Sequence, residues 1–169
     1  MKRTILSLIL AGSTCAPISL AQERMGEPEK LGKVHFPVSC SPAAQQAFDR
    51  ALAMLHSFWF PQALNAFGEV TNTDPNCAMG YWGVAMSRRT NPLVGAAPPA
   101  ALKDALQAID KAEAIGAKTQ RERDYIAAIA KYYRDGERLD FRTRVLAYEK
   151  AMEQLYLRYP DDPEAAIFY

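Results

Sequence analysis

The chain has 169 residues, 49% hydrophobic and 23% charged, which is ordinary globular composition with enough length for one domain and a real core. Lys and Arg together number 20 against 19 Asp and Glu, so no net basic field exists to hold nucleic acid or an anionic membrane surface. Neither a disordered chain nor a nucleic-acid-binding domain fits this balance.

Taken in chain order, the first segment reads as an export signal. Lys2 and Arg3 form a basic start, Thr4 to Gly12 is an apolar run, and Ser19-Leu20-Ala21 offers small residues for cleavage. The apolar run is well short of the roughly 20 residues that a membrane span requires. Residues 1–21 are therefore expected to be removed, leaving a periplasmic or secreted protein with no membrane span. The signal carries Lys2 and Arg3 and no acid, so the exported chain is close to neutral. Cys15 leaves with it, since Gly12-Ser13-Thr14 is a poor lipidation signal. Cys40 and Cys77 then remain in an oxidising compartment, where a disulfide is expected, the alternative being two separate buried thiols.

Residues 22–40 read as a flexible lead-in, polar at first and containing Gly26 and Pro28. A helix is expected from Ser41, which caps it, with Pro42 at its first position and Phe48, Leu52, Leu55 and Phe58 or Trp59 at helical steps. Pro61 suits the first turn of a second helix, whose apolar stripe of Ala63, Leu64, Phe67 and Val70 ends before Asp74-Pro75. Helices joined this tightly pack as antiparallel neighbours. Further on, Thr119 and Glu122 form a capping box for a helix that carries Tyr125, Ile126, Ile129 and Tyr133 on one face, with Ala127 as its small contact. Turn residues collect in Thr90 to Pro99 and in Arg134 to Asp140.

A more specific pattern runs through these helices. Phe60, Ala63, Phe67, Val70 and Pro75 follow the order aromatic, small, large apolar, small, proline, which resembles the second helix of a tetratricopeptide repeat. Tyr81 and Ala85 resemble the opening of the next repeat. Leu102, Ala105, Ile109, Ala112 and Ala117 return to the same offsets, as do Tyr148, Ala151, Leu155, Arg158 and Pro163. The steps from Phe60 to Leu102 and from Leu102 to Tyr148 both exceed the roughly 34 residues of such a repeat, and the lengths also suit a HEAT-like hairpin array. Together with His35-Phe36-Pro37-Val38-Ser39-Cys40 and Ala78 to Met86, the pattern resembles the large secreted bacterial tetratricopeptide proteins, whose role is uncharacterised.

That resemblance implies an all-α, short solenoid of stacked antiparallel helix hairpins over residues 41–169, acting as a scaffold for a protein or peptide partner and not as an enzyme. Its geometry places Met79, Trp82, Met86 and Arg89 along a ligand groove, core packing being the other reading of that stripe. The alternative function is a structural or accessory domain of a larger exported assembly whose chemistry lies elsewhere. The last helix, from Glu164, stops with Ala166 and Phe168 or Tyr169 still needing cover, so the chain reads as the front of a longer array or as a surface for self-association.

Other chemistry has weaker footholds. His35, His56, Cys40 and Cys77 do not have the spacing of a zinc finger, and one metal can hardly reach both histidines across a helix about 20 Å long. Asp161, Asp162 and Glu164 read as helix-capping acids instead of calcium ligands. Arg88-Arg89 and Arg121 with Arg123 are either a patch for acidic peptides or a solvated face. No cofactor is expected.

Overall fold

The structure is a computed structural model and describes residues 30–89, 91 and 95–169. The expected signal peptide, Cys15 and the start of the lead-in lie outside the described residues. Seven helices follow in order: α1 Pro42–His56, α2 Phe60–Thr73, α3 Ala78–Arg88, α4 Pro99–Ile115, α5 Gln120–Tyr133, α6 Phe141–Arg158 and α7 Pro163–Phe168. The described residues include no strand, so the all-α expectation holds.

Local chemistry sets the helix boundaries. Ser41 Oγ accepts from Ala44 N at 3.3 Å and Pro42 opens α1, satisfying one of the backbone donors that every helix start leaves free. Thr119 and Glu122 form the capping box of α5, and Asp140 and Asp162 cap α6 and α7 through their side chains. Gly116 ends α4 at φ 76°, a conformation that glycine adopts without strain. The α1–α2 turn is different, because Phe58 takes φ 59° there despite its bulk.

Each helix packs on the next, and α3 also touches α1 and α5. The odd-numbered helices α1, α3 and α5 thus stand in a row, whereas the backbones of α2, α4 and α6 approach only their chain neighbours, α6 reaching α3 through the Tyr148 hydroxyl on Met86 Sδ. Phe67, Ala63 and Val70 of α2 are fully buried, as are Ala85 of α3 and Ala105 and Ile109 of α4. Tyr148 and Leu155 of α6 are buried too, while Phe60, Tyr81 and Ala151 are partly buried against the same core. α2 and α3 approach closely at Gly83, where a Cβ would stand 2.1 Å from the Phe67 ring. Pro75 and Pro163 are exposed at turns, the first just beyond α2 and the second as the first residue of α7.

Two expectations are corrected by this packing. Ala127 is exposed, because α5 buries a wide arc made by Tyr125, Ile126, Ala128, Ile129 and Ala130, and the small contacts fall on the neighbouring alanines. The end of the lead-in is also part of the fold. Phe36 is fully buried, and Leu31, Val34 and Val38 pack against the core.

Candidate functional site

The expected groove lies on α3, at the middle of the odd-helix row, and the chain itself fills most of it. Met79 and Trp82 are each 1% exposed. The Phe36 ring lies parallel to Trp82 at 6.0 Å, and Phe168 meets the indole edge-on at 5.5 Å. Phe67 and Tyr125 add further edge contacts, so the indole is enclosed by aromatic rings whose packing exceeds simple area burial in strength. Met79 and Trp82 are core residues here. The apolar stripe of α3 marked a face to be covered, and the cover comes from two segments that have no helical period of their own.

The covering strap, residues 31–40, is held by polar contacts as well as by Phe36. Phe36 N donates to Asp49 Oδ1 at 3.1 Å and Val38 N to Gln45 Oε1 at 2.8 Å, while Gln45 Nε2 donates back to Phe36 O. Ser39 donates through N at 2.5 Å and Oγ at 2.8 Å to the Glu122 carboxylate, which also completes the α5 capping box. Glu122 is 2% exposed, and these bonds satisfy its buried carboxyl oxygens. Next along the chain, Cys40 and Cys77 form the expected disulfide, with Cα atoms 5.0 Å apart. It joins the start of α1 to the start of α3.

Arg121 ties the strap to the other end of the chain. Its guanidinium stacks on Phe36 at 3.9 Å, Nη1 donates to Pro37 O, and Nε donates to Asp162 Oδ2 at 2.6 Å. Tyr125 donates to the same carboxylate oxygen at 2.9 Å. Burial alone would raise the Asp162 carboxyl, but the bonds from Arg121 and Tyr125 and the charge of Arg121 hold it below the usual range. Burial also raises the Tyr125 hydroxyl far above its ordinary value, with Asp162 adding to the effect, so this oxygen stays a donor.

Of the four groove positions, Met86 and Arg89 border open space. A cavity of about 340 Å³ lies between the end of α1, the α1–α2 turn, the end of α3 and α7. Leu55, His56, Phe58, Phe60, Ile167 and Phe168 complete its wall. Phe58 and Ile167 are 60% and 59% exposed. His56 Nε2 lies 2.8 Å from the buried Glu164 carboxylate, which anchors α7 beside the cavity. No protein-family model, curated protein or solved structure matches the chain.

The remaining candidates are separated by the fold. His35 pairs with Asp49 and His56 with Glu164, while the two cysteines are bonded to each other. Among the described residues, no three His, Cys, Asp or Glu side chains are grouped so as to hold a metal ion. Asp162 caps α7 as its position implied, and Asp161 is exposed. Arg123 donates to Ala117 O and Gln120 at the start of α5, and Arg88 pairs with Asp104 at 2.9 Å. No helix of the described residues is long and apolar enough to cross a membrane. Sequence reasoning missed Phe36, Phe58 and Ile167; the aromatic run Phe58-Trp59-Phe60 was the one local signal for the cavity rim.

Proposed function

We propose that the chain is an exported helical scaffold of the tetratricopeptide kind, which binds a protein or peptide partner at the open end of its α1–α3 pair. The observation that carries this reading is the 340 Å³ cavity with Phe58 and Ile167 standing out of its rim. Exposed aromatic and aliphatic side chains grouped around a concavity are what anchor residues of a partner bury against. The α1–α3–α5 row supports the repeat reading, since in such stacks the first helices of successive hairpins lie side by side. The Cys40–Cys77 disulfide is consistent with an oxidising compartment, as export to the periplasm or beyond would provide. No catalytic role is assigned to any residue.

The accessory-domain reading has its own support, because the chain's strap and Phe168 occupy the α3 face that would otherwise receive a ligand. A photo-crosslinking residue placed at Phe58 in the producing cell separates the two. The scaffold reading expects a discrete crosslinked partner, lost when Ile167→Ser is combined with it and absent when the label is placed at Ala127. Crosslinks that survive Ile167→Ser, or none at all, would sink partner binding at this end.

A further inference from the structure

Arg89 caps the C-terminal end of α3 and stands on the wall of the 340 Å³ cavity. Its guanidinium lies 4.2 Å over the Tyr148 ring and 5.2 Å over the Tyr132 ring, both of them buried. Stacking on two fixed rings orders the group without neutralising its charge, which an arginine never loses. None of the ion pairs among the described residues includes Arg89.

The rest of the wall is apolar apart from His56, whose Nε2 lies 2.8 Å from Glu164. Glu164 is 5% exposed and is not part of the wall, so no described residue lining the cavity carries negative charge. An apolar anchor alone would cover the guanidinium and remove its water with nothing in exchange. A basic one would meet a like charge. The complement of this wall is a large apolar side chain with a carboxylate close to it, accepting from the forked donors of Arg89.

We propose that the partner segment bound at this end of the molecule seats a large apolar side chain in the cavity and sets a neighbouring Asp or Glu of its own on Arg89. This deepens the scaffold reading and rests on it. Phe58 and Ile167 belong to different elements, the α1–α2 turn and α7. Covering both takes a stretch of chain that runs on past the cavity, which a small free acid seated inside it does not provide. Because the guanidinium is already held by its stacking, little ordering cost opposes the contact.

The test is selection of a random heptapeptide library displayed on phage against the disulfide-intact full chain. Affinities are then measured for the selected peptides, made synthetically, and for the same peptides with each acid changed to its amide. Peptides that join an aromatic or large aliphatic residue to a nearby acid should be enriched, and the amide form should bind the parent about tenfold more weakly or worse. On Arg89→Met the acid and amide forms should bind alike, whereas Arg89→Lys should restore part of the preference. Ile167→Ser should weaken both forms equally. Peptides that need Ile167 yet show no preference for an acid, or keep that preference on Arg89→Met, overturn the assigned chemistry and leave the scaffold reading standing. Equal weakening of both forms by Arg89→Met also overturns it, since Arg89 then serves only the fold. If no selected peptide is weakened by Ile167→Ser, the scaffold reading fails too. A dimer of the chain alone that Ile167→Ser disperses would make a second copy the occupant in place of the acidic segment.

Discussion

Gly83 and Gly68 both stand inside helices, where glycine costs about 1 kcal/mol relative to alanine, and nothing in their local sequence distinguishes them. Their surroundings do. A Cβ on Gly68 meets nothing within 4 Å, whereas one on Gly83 would penetrate the fully buried Phe67 ring. Gly68→Ala should therefore stabilise the protein by about 0.5–1 kcal/mol. Gly83→Ala should destabilise it by about 1–3 kcal/mol despite the same gain in helix propensity, because an overpacked core must shift to accommodate it. Urea denaturation of the two variants gives the pair of signs, and a stabilising Gly83→Ala would refute the close α2–α3 approach. Glu122 illustrates the same limit of local reading. Its place in the capping box was legible from Thr119-x-x-Glu122, but its second task, accepting from Ser39, joins residues 83 positions apart and has no local signature.

At the scale of elements, helix starts were the most legible features, since Ser41-Pro42, Thr119/Glu122 and Asp162-Pro163 carry their capping chemistry within a few residues. The strap was misread, and the start of α7 was legible but not what its Phe168 covers, because each segment is short and takes its order from partners elsewhere in the chain. Neither shows a period that a pattern could report. α7 is held through its own N-cap carboxylate, Asp162, which the bonds from Arg121 and Tyr125 hold below the usual range, so its attachment is pH-dependent. The unfolded chain binds a proton at Asp162 near pH 4 and the folded chain only at lower pH. The stabilisation is thus complete above about pH 5 and is lost progressively as pH falls through 4 toward the folded value. Fluorescence of Trp82, which Phe168 contacts, should follow this loss on acid titration. In Asp162→Asn the part of the acid response due to this group should be absent, and an unchanged profile would show that Asp162 does not hold α7 through its charge.

For the whole molecule, composition and periodicity were enough for an all-α chain of packed hairpins, and an expected export signal that leaves two of the three cysteines was enough for the Cys40–Cys77 bridge. The site was only half legible. Met86 and Arg89 reach a cavity, but Met79 is buried in the core and Trp82 is sealed by the strap, whose position depends on contacts with α1, α3 and α5 together. The bridge closes a sequence separation of 37 residues, worth about 3–4 kcal/mol in the chain-entropy treatment. Reduction should lower the denaturation midpoint by a corresponding amount, and Cys40→Ser/Cys77→Ser should behave as the reduced protein does. An unchanged midpoint on reduction would leave the strap to its hydrogen bonds and Phe36 alone.

Ties between distant residues also govern how the molecule comes apart. A stack held only by contacts between neighbouring hairpins unzips from its ends, one unit at a time. Here Ser39 is bonded to Glu122 and His56 to Glu164, across 83 and 108 positions, and Arg121 bridges the strap and the start of α7 at once. Losing either the strap or α7 exposes Trp82, so local opening of either segment is penalised. The described helices should behave as a single cooperative unit, slower to fold than their helical content implies because the stitching contacts must wait for segments distant in sequence to meet.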